Sequence, residues 1–336
     1  MRHILQSGQT HCYDSTGQEI RCPGSGQDGE VQTGISWPSV RFEVRGETVH
    51  DLLTDLFWSQ DANRGAFPCT WPDAFRQITD LNRNRYGGYA DWRLPNRNEL
   101  RSLISYQAKK PALPDDHPFV NVFLGWYWSA TTAALHPAYA WSIHLEGARM
   151  FYGRKDQDQF FWPVRGAGNS ILPATGQQQC YDALGLVIDC PGTGQDGALQ
   201  KGAIWPRPRF IEHHEGIFDR LTELTWARHA DLTGGPVAWQ QALDAVQEWK
   251  KSGTTAGQLW RLPTINELLS LVDCSAHTPA LPAGYPFTGV QSEYWSSTTS
   301  FFETSWAWVL YLDKGACGVG HKPGKTFFVW PVRGLP

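Results

Sequence analysis

The sequence predicts an α+β fold, rich in loops and built twice over, and three observations carry that prediction. The 336 residues include 33 Gly, 22 Pro and 17 Trp against 2 Met, a composition that favours short strands and tight turns over long helices. Sliding the chain against itself by 168 residues brings Cys12-Tyr13-Asp14 onto Cys180-Tyr181-Asp182 and Trp92-Arg93-Leu94-Pro95 onto Trp260-Arg261-Leu262-Pro263. The match continues through Trp37-Pro38 on Trp205-Pro206, Trp71 on Trp239 and Trp162 to Gly166 on Trp330 to Gly334; one residue of slip also aligns Trp128-Ser129 with Trp295-Ser296. A repeat covering nearly all of both halves is a duplicated domain, expected at residues 1–167 and 174–336 with a Gly/Ser/Pro-containing linker at 168–173. Each copy is long enough to bury its own core.

Each copy opens with a turn bounded by cysteines, in which Asp14 and Gly17, or Asp182 and Gly185, take the ends of a type I turn. The identical spacing of Cys12/Cys22 and Cys180/Cys190 predicts a local disulfide in each, contributing roughly 2–3 kcal/mol through loop closure. Cys274 and Cys317 offer a third bridge, which leaves Cys69 over. A hairpin follows in the first copy, Arg41 to Val44 and Thr48 to His50 around Arg45-Gly46-Glu47, while the second copy blurs it. An amphipathic helix then starts at Thr70 with Ala74, Phe75, Ile78 and Leu81 on one stripe, matched by Ala242, Val246 and Trp249. Asn96 with Glu99, and Thr264 with Glu267, have the spacing of capping boxes and start a second helix whose Leu100, Leu103 and Ile104, or Leu268, Leu271 and Val272, face the core. The remainder reads as a terminal antiparallel sheet, with strands at Tyr127 to Ala130, Tyr139 to Leu145, Arg149 to Tyr152 and Phe160 to Arg165.

Composition narrows the function. A net charge of -4 with 18% charged residues gives no general attraction to nucleic acid, and no run of about 18 apolar residues is present to enter a membrane. Met1 to Gln6 lacks the apolar stretch of a secretory signal, which leaves two alternatives, a leader outside this sequence or a chain that stays inside; the paired cysteines favour the first, an extracellular or cell-surface location.

Asp91 to Leu100, Tyr127-Trp128-Ser129-Ala130-Thr131-Thr132, Tyr139-Ala140-Trp141 and Trp162-Pro163-Val164-Arg165-Gly166, all repeated in order in the second half, resemble the Lcl C-terminal domain family, named for the C-terminal region of a bacterial collagen-like adhesin. The resemblance implies a C-type-lectin-like fold, secreted or displayed by bacteria, with sulfated glycans as the adhesin's ligands and no catalytic reaction. The same Arg-Leu-Pro-Thr helix start occurs in formylglycine-generating enzymes, but Cys317 has no nearby partner in sequence, and the Glu-Pro-Asn and Trp-Asn-Asp signatures of calcium-dependent sugar lectins are absent.

The two copies differ chiefly at Ala133 to Pro137 against Ser300 to Thr304 and at Arg149 to Phe160 against Cys317 to Phe328. Binding residues commonly sit on such loops beyond a constant scaffold. Arg149, Tyr152, Arg154 and Lys155 in the first copy, and Phe301, Phe302, His321, Lys322, Lys325 and Phe328 in the second, combine cations with aromatic rings and are the expected ligand-binding residues for an acidic glycan or a sulfate. Relatives of this family are also targets of diversity-generating retroelements, which makes a protein ligand the alternative; an intracellular assembly role on the same scaffold is another, and an oligomer fits any of these. The repeated tryptophans are expected in the core, and Arg93/Arg261 and Arg165/Arg333 in an ionic network with Glu99/Glu267 or on an anion. No cofactor is expected. The Gly-Gln-Asp-Gly turns offer calcium only Asp14 and Asp28, and His213-His214-Glu215 with His229 lacks metal-ligand spacing.

Overall fold

The structure, a computed structural model, describes residues 3–251 and 259–334. It is mostly sheet with a few helices, in two repeated halves. Each repeat begins with an arm. In the first arm β1 (Cys12–Tyr13) and β2 (Glu19–Ile20) pair antiparallel and lead to the single turn α1 (Asp28–Val31). The Asp14 carboxylate closes the hairpin by accepting from the Thr16 and Gln18 amides. Disulfides Cys12–Cys22 and Cys180–Cys190 form as the spacing predicts. Cys274 and Cys317 are buried as thiols and the bridge expected between them is not made; Cys69, as expected, is a half-buried thiol.

The first domain continues with β3 (Phe42–Arg45), β4 (Thr48–Asp51), β5 (Leu56–Ser59), α2 (Trp71–Arg83) and α3 (Arg97–Ser102). Then come β6 (Trp126–Thr132), β7 (Tyr139–His144), β8 (Met150–Arg154), β9 (Phe160–Phe161) and β10 (Val164–Arg165). The second repeat gives an arm of β11 (Cys180–Tyr181), β12 (Val187–Ile188) and α4 (Asp196–Leu199). Its domain holds β13 (Phe210–His213), β14 (Gly216–Asp219), β15 (Leu224–Trp226), α5 (Trp239–Trp249), α6 (Ile265–Ser270), β16 (Glu293–Thr299), β17 (Trp306–Tyr311), β18 (Ala316–His321) and β19 (Val332–Arg333). The hairpin blurred in sequence is therefore present in both copies.

The terminal strand expected over Phe160 to Arg165 is split. Pro163 has no amide to give a ladder, so β9 pairs with β6, in parallel, while β10 crosses to β5 and completes the sheet β10-β5-β4-β3. The final sheet is thus not wholly antiparallel. A tryptophan-rich core of the first domain gathers Trp71, Ala74 and Ile78 of α2 and Trp92 with Trp128 and Ala130 of β6, Ala140 of β7 and Phe161 of β9. Indole N–H groups donate to backbone carbonyls, Trp128 to Cys69 and Trp162 to Ser59, with Trp295 to Val237 and Trp330 to Ala227 in the twin. Trp141 departs from this pattern: its N–H has no protein acceptor, and the Arg97 guanidinium lies 4.0 Å from its ring centroid.

Both capping boxes form, the Asn96 and Thr264 side chains accepting from the amides of Glu99 and Glu267. The glutamates also receive bidentate hydrogen bonds from Arg93 and Arg261, as expected. Arg165 and Arg333 stand outside that network and pair with Asp91 and Glu215. A second buried pair, which the sequence reading passed over, joins Arg41 to both oxygens of Asp51 and to the Ser102 carbonyl, with Arg209, Asp219 and Ser270 as its copy.

The boundary expected at 168–173 does not divide the compact units. One unit is Ser36–Ile204, and the other is Met1–Ile35 together with Trp205–Pro336. Repeat and packing unit are out of phase, because each domain is completed by the arm of the other repeat.

Candidate functional site

The late loops deliver only part of the expected constellation. Arg149 and Arg154 are exposed, the latter paired with Asp156, and Tyr152 is half-buried with its ring edge-on to Trp141. Phe302 and Lys325 are exposed, His321 packs against Trp306, and half-buried Phe328 bridges to Tyr294. Phe301 leans on Tyr13 of the first arm. Lys155 and Lys322 are corrections: both are fully buried. Their Nζ atoms sit 4.1 Å from the ring centroids of Trp71 and Trp239, and they donate to the carbonyls of Tyr181 and Asp182 and of Tyr13 and Asp14, respectively. Burial pushes both ammonium groups down to about 7, against the opposing charge of Asp182 and Asp14. These lysines hold arms, not ligands. The one-residue slip in the repeat hid their equivalence.

The joint of arm and domain is built twice from the same parts. Gln9 exchanges two hydrogen bonds of 2.9 Å with the Thr299 backbone, and Gln177 does so with Thr132 at 2.8 Å. Asp28 accepts from the Thr298 hydroxyl, and Asp196 from those of Thr131 and Thr175. Complete burial pushes both carboxyls up to about 6, against those hydroxyl bonds. Asn266 and Asn98 donate to the carbonyls of Leu5 and Pro173. The hairpin turns then seat against the divergent loops: a Cβ on Gly17, whose φ is +90°, would stand 2.7 Å from the Ser305 amide, and one on Gly185 2.7 Å from that of Ala138. Asp14 and Asp28 thus do separate structural jobs. Among the described residues no three His, Cys, Asp or Glu side chains gather as metal ligands. Cys69 is no ready nucleophile, since burial pushes its thiol up to about 12.

Between arm and domain each unit holds a cleft that the sequence reading missed. One, of about 490 Å³, is lined by Ile78, Thr79, Asn82, Asp91, Trp92, Arg93 and Gly166 from the domain and by Gly192, Gly194, Leu199 and Lys201 from the arm, among others. The other, of about 410 Å³, is lined among the described residues by Gln247, Lys250, Leu259, Trp260, Arg261 and Gly334 and by Gly24, Gly26, Glu30, Val31 and Thr33. Superposing the repeats puts Trp92 on Trp260, Arg93 on Arg261, Gly166 on Gly334, and Gly192 and Gly194 on Gly24 and Gly26. The rims differ: Thr79, Asn82, Asp91 and Lys201 face Gln247, Lys250, Leu259 and Thr33 at corresponding positions. Repeat comparison carries this signal, but only once the arms are known to complete the walls.

No curated protein matches the chain. The Lcl C-terminal domain matches residues 47–165 and again 215–333, once in each repeat. With those two matches spanning well over half of its length, the chain belongs to the Lcl C-terminal domain family.

Proposed function

We propose that this is a non-catalytic recognition protein of C-type-lectin-like fold, secreted or displayed at a cell surface, that binds glycans in its twin clefts. What carries the reading is the pairing of a constant floor with a variable rim: tryptophan, arginine and three glycines recur while the polar residues around them change. That is what duplication followed by divergence of specificity leaves behind. Both volumes fall in the roughly 300–1,000 Å³ range of small-ligand sites. Each lining mixes polar with apolar side chains, so a sugar's hydroxyls have partners while its C–H face meets Leu199 or Val31. Charges are few: Arg93 and Arg261 are paired with Glu99 and Glu267 and Asp91 with Arg165, which leaves Lys201 in one cleft and Lys250 with Glu30 in the other and suits a neutral or singly acidic sugar. The strongly shifted lysines and aspartates are engaged in holding the arms, which favours binding over catalysis. Two disulfides fit an oxidising compartment.

The test is a glycan array that includes sulfated glycosaminoglycans, run on the wild type, on Asn82→Ala with Lys250→Ala, and on Arg149→Ala with Lys325→Ala. Binding lost only in the cleft variant supports the reading. Loss only in the second variant moves the site to the late loops. No binding to any glycan sinks it and turns the search to a protein ligand, for which the exposed Phe151 and Phe302 are the anchors to test.

A further inference from the structure

The arms follow one docking rule. The second arm, residues 172–204, seats on the domain that precedes it in sequence, and the first arm, Met1–Ile35, seats on the domain at the far end of the chain. Both seats use the same bonds: a glutamine paired with a threonine backbone, a buried aspartate on a threonine hydroxyl, and a lysine under the hairpin carbonyls. Nothing in this set requires arm and domain to share a chain. Each arm carries its own disulfide and its own turn, so it holds its shape as a plug. The segment joining the first arm to its own domain is exposed at Ser36 and from Pro38 to Val40, and the equivalent joint exposes Ile204, Arg207 and Pro208.

We infer that Met1–Ile35 is an exchangeable plug, and that its partner is a second copy of this chain: the arm of one copy seats on Trp205–Pro336 of another. Such an arm-to-domain contact is head-to-tail, using different surfaces on the two copies, and it closes into a ring or runs on as a filament according to the joint. A joint long enough to close within one chain favours the monomer by its high effective concentration. A shorter joint, or refolding at high protein concentration, favours exchange.

The experiment uses the full chain. Isotopically light and heavy protein are mixed, unfolded with the disulfides intact, refolded at high concentration, and weighed by native mass spectrometry. Mixed-isotope dimers that persist on dilution are expected, and they should vanish when Gln9→Ala and Asp28→Ala are combined. A second variant deletes Pro38 to Val40, which should turn the monomer into dimers or longer species even at low concentration. The inference is overturned if wild type and shortened chain both remain folded monomers at every concentration, or if dimers survive the loss of Gln9 and Asp28.

Discussion

Lys155 and Lys322 show how residue type misleads when position is unknown. In sequence each is a cation in a divergent loop beside aromatic residues; in the fold each is a strut, with an indole on one side and two carbonyls on the other. Lys322→Ala removes the ammonium from the Trp239 ring and one of the two donors to each of the Tyr13 and Asp14 carbonyls, which keep Gln27 and Gly17, and should cost about 2 kcal/mol. Calorimetry should register this as a lower unfolding temperature, while Lys325→Ala leaves it unchanged. The buried charges also set a pH profile. An amine at about 7 in the fold and 10.5 when unfolded means that the unfolded chain holds more protons between those values, so stability rises with pH across that window. Asp28 and Asp196, at about 6 against 3.8, act oppositely: the folded chain holds more protons, and stability falls as pH rises from about 4 to 6. The urea midpoint should therefore dip between pH 6 and 7, and Asp28→Asn with Asp196→Asn should flatten the acid side of the dip. A midpoint that peaks at neutral pH would contradict these assignments.

At the scale of elements, local signals were legible and long-range ones were not. The capping boxes at Asn96 and Thr264, the helix from Thr70, the hairpin around Gly46 and the two short disulfides all depend on residues within about ten positions, and the sequence spells them out. The third disulfide failed because Cys274 and Cys317 are far apart in sequence and no spacing rule relates them. The split of Phe160 to Arg165 between two sheets was readable at Pro163 in principle, since a residue without an amide ends a ladder. The arm hairpin supplies the element-scale prediction. Gly17→Ala adds a methyl group against the Ser305 backbone at a φ that L residues avoid, so the first arm should loosen while its disulfide stays closed. Hydrogen exchange at Tyr13 and at Thr298–Thr299 should quicken, with the matching positions Tyr181 and Thr131–Thr132 unaffected.

For the molecule as a whole, the repeat was visible and its partnership was not. Two arms of related sequence face two domains of related sequence, and no pattern says which arm serves which domain. The consequence is sharp. Deleting residues 1–35 should expose and destabilise the distant domain at β16 and β17 and leave β3 to β5, its immediate neighbours in sequence, protected. Protection lost first in Phe42–Ser59 would show that the arm belongs to its own repeat instead. The cleft between that arm and α5 should disappear with it, so a ligand bound there should be lost while one bound in the twin cleft is kept.

The Gln9–Thr299 pair spans 290 positions, whereas its counterpart Gln177–Thr132 spans 45. During synthesis, therefore, the unit Ser36–Ile204 has all of its parts as soon as the ribosome has passed its second arm, and it is expected to fold first. The first arm emerges ahead of both domains and waits longest for its seat. Residues made ahead of both domains are thus among the last to find their place, and the growing chain spends that interval with a plug that has no socket yet.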